Sequence, residues 1–224
     1  MTFSPKHFFY YTLFFVALIL FSYFFLDKTI AHYFLSHVDS YEVIGDFLSK
    51  FGESHWYIGV GILGFTYFNY YKKDELLKQQ FLFLLYINIF SGLISLVSKF
   101  IFGRIRPWGF RDNGDEFGFL LFQNFDIGVI EKFKYQFITL VDSPTTYTSF
   151  PSGHSTTIFA IFTYIIILFP KYMYLWLGIS VILASARLLD NDHFLSDILA
   201  GVLVGTLSTL FIYSKMRKKL EKVI

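Results

Sequence analysis

Arg187-Leu188-Leu189-Asp190-Asn191-Asp192-His193-Phe194-Leu195-Ser196-Asp197 sets a cation, an imidazole and a carboxylate at the mouth of an otherwise apolar region. From Phe194 the chain reads FLSDILAGVLVGTLSTLFIY, an apolar run of membrane length. With His193 at the first turn of that helix, Asp197 lies four residues on and stacks on the same face. A carboxylate there can hydrogen-bond one ring nitrogen and leave the other free as nucleophile or base. Ionisable groups inside membrane-length segments are costly, which makes them candidates for function. The competing reading is that Arg187 and Asp197 are helix-end charges reaching for lipid headgroups.

Composition narrows the choice. The chain has 224 residues, 54% of them hydrophobic and 22% aromatic, with 31 Phe and only 16% charged residues. A soluble domain of this length cannot hide so much apolar surface, so a polytopic membrane protein is expected. A net charge of +2 gives no argument for nucleic acid. With no Cys, disulfides, thiolate metal sites and cysteine nucleophiles are excluded together.

Working outward, six apolar segments emerge. Phe8–Leu26 carries no charge and has no clear small-residue cleavage site, which favours a retained span over a signal peptide. Asp27–His55 reads as a polar connection whose amphipathic parts, such as AHYFLSHV, suit the membrane interface. Trp56–Tyr71 is the second span, with Gly59, Gly61 and Gly64 suited to close helix packing. Phe81–Phe102 is the third and carries Lys99 near its far end. A long connection over residues 103–152 follows, in which Glu131–Val141 has the pattern of a short interfacial helix. Gly153–Phe169, Tyr172–Leu189 and Phe194–Tyr213 complete the set, the last with Gly201 and Gly205 in a G-x-x-x-G spacing. The N-terminus, the 72–78 turn, Lys171 and the tail hold ten Lys and Arg, against eight in the longer connections opposite. Both termini are therefore expected on the cytoplasmic side.

With six alternating spans, the end of the third, the start of the fourth, the end of the fifth and the start of the sixth share one outer side. Lys99, Arg106, Ser152-Gly153-His154, Arg187, His193 and Asp197 should then converge on one pocket. Three cations around one point favour a polyanion such as phosphate, for which Arg offers planar, bidentate donors. Pro151-Ser152-Gly153-His154 enters a helix N-terminus, where free N–H groups favour an anion. The same cations would repel a metal from His193 and Asp197, and none is expected.

Lys99-x6-Arg106-Pro107, Pro151-Ser152-Gly153-His154 and Arg187-x5-His193-x3-Asp197 together resemble the three signature motifs of the type 2 phosphatidic acid phosphatase superfamily, which includes the vanadium haloperoxidases. All three occur in order, from Lys99 to Asp197. One departure is visible: Ala186 stands where the family's third motif usually has Ser, with Ser185 one place earlier. That serine assists phosphate binding, so the departure bears on affinity more than on activity. The resemblance implies an all-α polytopic membrane protein of six transmembrane helices, built on the helix-bundle core of the acid phosphatase and haloperoxidase type. It implies one membrane-embedded domain over residues 1–224.

It further implies a metal-free lipid phosphatase. In that reading His193 attacks phosphorus to form a phosphohistidine, Asp197 holds its tautomer, and His154 protonates the departing oxygen and then activates water. Lys99, Arg106, Arg187 and the backbone at Ser152 and Gly153 stabilise the phosphate oxygens. The implied substrate is a phospholipid, prenyl or glycolipid phosphate: lipid A, undecaprenyl pyrophosphate, phosphatidylglycerol phosphate or phosphatidic acid. The expected location is the bacterial inner membrane, with the site facing the periplasm. Envelope lipids fit an outward site by analogy with the family.

Three rival readings remain: a lipid phosphotransferase on the same scaffold, a non-catalytic anion-binding membrane protein, and a vanadate-dependent oxidase. The last is disfavoured because those relatives are soluble. Outside the motifs, His7, His32, His37 and His55 read as interfacial residues without partners. Arg104 reads as a substrate contact or an interface anchor. Arg111, Asp112, Asp115 and Glu116 read as a solvated loop face or a headgroup rim.

Overall fold

A computed structural model describes residues 4–111, 117–122 and 128–221, and within them the chain is all helix and loop. Only isolated bridges pair extended backbone, joining Arg104 to Phe119 and to Thr148. The first segment does not stop at Leu26. Helix α1 (Pro5–Phe21) passes through a π-helical turn, Ser22–Leu26, directly into α2 (Asp27–Leu35). The expected polar connection is thus mostly helical, since after a turn at Ser36 and His37 come α3 (Val38–Ser49) and a 3₁₀ turn, Lys50–Gly52. Asp27 and Lys28 interrupt the apolar run, and a reading by hydropathy ends the span there.

The next helix is α4 (Ser54–Thr66), extended by a π-helical turn over Tyr67–Tyr71. The 28-residue α5 (Glu75–Phe102) opens with Asp74 accepting the Leu77 N–H at 3.1 Å and closes on Gly103, at φ +56. That left-handed cap turns the chain sharply toward Arg104. Helix α6 (Val129–Asp142) occupies the region expected to hold an interfacial helix. It buries Gln136 and Leu140 and leaves Ile130, Phe133 and Phe137 exposed. Then come α7 (Gly153–Leu168), α8 (Met173–Leu189) and α9 (Leu195–Glu221).

Helices α7 and α9 form the centre. A side chain on Gly201 would stand 2.6 Å from the Ser152 carbonyl, and one on Gly205 would overlap the Thr156 carbonyl. The G-x-x-x-G spacing therefore lets two backbones touch. Beside this contact Ile158, Phe159, Phe162, Leu183, Ala184, Ile198 and Val202 form a core joining α7, α8 and α9. A second core of Phe83, Ile87, Ile161, Tyr164, Met216 and Leu220 ties α5 to the same pair. Outward faces are apolar too, as at Phe9, Phe14, Leu63, Leu93 and Ile182. An aqueous solvent would leave these side chains without compensation, whereas lipid accepts them.

Among the described residues, four helices are long and apolar enough to cross a membrane: Pro5–Leu35, Glu75–Phe102, Pro170–Leu189 and Leu195–Leu220. Gly153–Leu168 is apolar but shorter. The fold is that of an all-α polytopic membrane protein. Asp112, Asp115 and Glu116 lie outside the described residues, as does the side chain of Arg111.

Candidate active site

Four helix ends supply the site, as the alternation of apolar segments predicts. Lys99 comes from the last turn of α5, Arg187 from the last turn of α8, His154 from the first turn of α7 and Asp197 from the first turn of α9. Arg106 and His193 sit in the loops beside them. Ser152 caps α7: its hydroxyl accepts the Ser155 N–H at 3.3 Å, and its own N–H donates to the Asp197 carbonyl at 3.0 Å. This backbone bond locks the starts of α7 and α9 together, which sets the two histidines in register. Gly153 lies beside Lys99, whose Nζ would be 3.9 Å from a Cβ placed there.

His193 is 4% exposed and its backbone N–H donates to the Arg187 carbonyl at 3.2 Å. Its Nδ1 stands 3.7 Å from Asp197 Oδ2, longer than the direct hydrogen bond expected from the i, i+4 spacing. Ser149 fills the gap: its hydroxyl lies 3.4 Å from His193 Nδ1 and donates to Asp197 Oδ2 at 2.6 Å. Burial holds the His193 imidazole far below its usual range, down to about 3, against the pull of Asp197. The ring is therefore neutral throughout the physiological range and carries a free lone pair, the form that a nucleophile needs.

His154 is packed from the other side. Its Nε2 is buried with no hydrogen-bond partner among the described residues, and a side chain on Gly52 would overlap its ring. Gly52 thus permits a close approach that no other residue could make. Around this contact lies a cavity of about 390 Å³ lined in part by Glu53, His55, Ser95, Lys99 and Gly153. The first connection, expected to rest at the interface, in fact forms a wall of the site. Ser49 belongs to the same wall, accepting from Arg187 Nη1 at 3.2 Å and donating to Asp190 Oδ2 at 2.6 Å.

The cations meet carboxylates from the loop before His193. Asp192 Oδ2 takes Arg106 Nη1 at 3.0 Å and also pairs with Arg187 Nη2, while Asp190 takes Arg187 Nη1 at 3.2 Å. Ser185 offers no substitute for the absent motif serine, because its hydroxyl faces away and bonds the Val181 carbonyl. Ala186 is fully buried.

Arg104 is neither a substrate contact nor an interface anchor. It is fully buried between Asp27, at 2.7 Å, and Asp197, at 2.5 Å. The other histidines also differ from expectation, because each has a neighbour. His7 meets Ser4, His37 meets Ser36, His32 packs on Phe110, and His55 pairs with Glu53 at 3.4 Å beside the cavity. Ser49, Gly52, Ser149, Asp192 and Asp27 are not legible as site residues from sequence. Asp27 alone carries a signal there, as a carboxylate in line with an apolar helix.

Among the described residues no group of three or more His, Asp and Glu side chains is arranged to hold a metal ion. The arrangement suits an anion with tetrahedral oxygens instead. Three cations and the open N-terminus of α7 surround a point flanked by two imidazoles.

Comparison with known proteins points to a family. A family model described as the PAP2 superfamily matches residues 80–221. A protein of Rhizobium etli described as a lipid A 1-phosphatase is 31% identical over 185 residues, covering 77% of this chain and 71% of that protein. One of Rhizobium johnstonii with the same description is 32% identical over 172 residues, covering 72% and 62%. Another, of Porphyromonas gingivalis, is 31% identical over 109 residues, covering 47% and 24%. No solved structure matches. The three motifs, the helix ends that carry them and the family match over most of the chain agree: this chain belongs to the PAP2 superfamily.

Proposed function

We propose that this membrane lipid phosphatase removes a phosphate from an envelope glycolipid or prenyl lipid through a phosphohistidine on His193, without a metal. The observation that carries the reading is the meeting of Lys99, Arg106 and Arg187 with two buried or half-buried histidines at one end of the bundle. In the first step a His193 ring nitrogen bonds to phosphorus while the bond from phosphorus to the lipid oxygen breaks, and His154 gives that oxygen its proton. In the second step His154 takes a proton from water, whose oxygen bonds to phosphorus as the nitrogen leaves, releasing inorganic phosphate. The three cations and the backbone at Ser152 and Gly153 neutralise the equatorial oxygens as charge spreads over them.

The names of the two Rhizobium relatives direct the choice of substrate toward the phosphate at position 1 of lipid A. We propose six membrane crossings: the four long helices together with Gly153–Leu168 and the continuous helix Ser54–Tyr71. With the Lys- and Arg-rich termini taken as cytoplasmic, the site would lie at the periplasmic face, where acyl chains stay in the bilayer while the headgroup enters.

The test is phosphate release by purified protein from lipid A, undecaprenyl pyrophosphate, phosphatidylglycerol phosphate and phosphatidic acid. It is run with EDTA, with and without an acceptor lipid, beside His193→Ala. The expected result is EDTA-resistant release to water from one lipid, lowered at least a thousandfold in the variant. Equal release by the variant would remove the phosphohistidine, and transfer only to the acceptor would make the protein a phosphotransferase.

A further inference from the structure

The catalytic motifs explain Asp197 but not what holds it. Its Oδ1 accepts from Arg104 Nη1, and its Oδ2 accepts from Ser149 and from the Phe194 N–H at 2.9 Å. Arg104 in turn gives its second amino group to Asp27 Oδ2 at 2.7 Å and shares Nη1 with Ser196 Oγ at 2.6 Å. Asp27 is saturated from α9 and α1: Oδ1 accepts the Ser196 N–H at 3.0 Å and the Ser22 hydroxyl at 2.7 Å, and Oδ2 accepts the Ser196 hydroxyl. The side chains of Asp27, Arg104 and Asp197 have no exposed area. Rings of Phe194, Phe119, Tyr23 and Phe117 surround the guanidinium, at 4.2, 5.0, 5.1 and 5.5 Å from its carbon. It has no room to turn.

Stability alone does not account for this. A buried cation between two buried anions is expensive to desolvate, and apolar replacements of similar volume often serve a fold equally well. The local backbone has also been altered to build it. The π-helical turn Ser22–Leu26 brings positions 22 and 27 together, which is what lets the Ser22 hydroxyl reach Asp27. Single π turns inside helices recur at functional sites. Asp27 lies outside the 80–221 region that defines the family match, so the first helix adds something to the site that the motifs do not contain.

We infer that Asp27 and Arg104 are positioning residues for the reaction: a relay from Asp27 through Arg104 fixes the Asp197 carboxylate, and through it and Ser149 the orientation of His193. Arg104 takes one oxygen of Asp197 and leaves the other for Ser149 and the imidazole. Asp27 keeps the cation from being drawn wholly onto Asp197, which leaves a net negative charge facing His193. The inference rests on the assignment of His193 as nucleophile, which His193→Ala tests separately.

The experiment compares kcat and KM of Asp27→Asn, Asp27→Glu and the charge-neutral pair Asp27→Asn with Arg104→Gln, each measured per folded protein in detergent. Asp27→Asn still leaves Arg104 paired with Asp197 and so remains foldable, whereas the double variant also strips Asp197 of its buried cation. The expected result is a fall in kcat of roughly tenfold or more for Asp27→Asn and for the double variant. KM stays within twofold, and Asp27→Glu recovers part of the loss. A kcat within twofold of wild type in either folded variant, with only the melting temperature lowered, would reduce the network to an anchor for the first helix and overturn the inference. Loss of phosphate release in Asp27→Asn alongside full release in His193→Ala would instead discredit the nucleophile, and the relay to it with it.

Discussion

Arg104 and Arg106 are separated by one residue and both pair with carboxylates near His193, yet their surroundings differ. Arg104 and its partners Asp27 and Asp197 are wholly buried, whereas Arg106 is 16% exposed and its partner Asp192 24% exposed. The buried arginine has neither water nor a mobile anion to turn to when a partner is lost. The other can exchange Asp192 for water or for a phosphate oxygen at modest cost, because exposed pairs contribute little. After the Gly103 turn, Arg104 lies among the rings of Tyr23, Phe117, Phe119 and Phe194, whereas Arg106 lies against Asp192. Burial thus separates two chemically identical pairs into one that is built in and one that is displaceable.

Breaking that contrast should give its largest effect at Arg104. Arg104→Ala leaves two buried carboxylates unpaired, and a stability loss of about 3–5 kcal/mol is expected, read as a sharp fall in melting temperature and folded yield in detergent. Arg106→Ala should melt within a few degrees of wild type but lose about a hundredfold in kcat/KM, since it removes a donor to the developing charge. If both variants unfold equally, the distinction between the two arginines is lost.

Asp192 sharpens the comparison from the carboxylate side. It pairs with Arg106 and Arg187, the proposed phosphate-binding arginines, so in the proposed reaction it would compete with substrate. Asp192→Asn should lower KM and the inhibition constant for inorganic phosphate several-fold, with the melting temperature nearly unchanged. Weaker phosphate inhibition in the variant would show that Asp192 organises the arginines instead of competing for them.

A further effect concerns pH. The His193 imidazole titrates near 3 in the fold, chiefly because it is buried, and near 6.5 in an unfolded chain. Between those values the unfolded state binds the proton and the folded state does not, so this contribution to stability is full above 6.5 and falls as pH is lowered toward 3. Melting temperature should therefore decline from pH 6.5 to pH 4, and His193→Gln, which cannot titrate, should flatten part of that decline. Parallel curves for the two proteins would contradict a buried neutral imidazole.

Much of the site is legible in the amino-acid sequence alone. Lys99, Arg106, His154, Arg187, His193 and Asp197 are spaced so that alternating apolar helices carry them to one end, and the structure brings them together there. The contact of Asp197 with His193 is less legible, because i, i+4 spacing fixes a shared face but not the last ångström. Ser149 takes the place of a direct bond. Ser49 lies 138 residues from Arg187, and Gly52 lies about a hundred from His154, and short-range patterns carry no trace of such pairing.

The sequence by itself determined the membrane class, the helical period, the close contact at Gly201 and Gly205, and the set of chemically capable side chains. These follow from composition and from spacing within single helices, where the backbone dictates neighbours. Only the tertiary structure decided which charges are sealed and which stay open. Burial depends on how separate helices pack: Asp27 reads as the start of a polar connection in sequence, and becomes a partner of Arg104 only once α1, α2 and α9 enclose it.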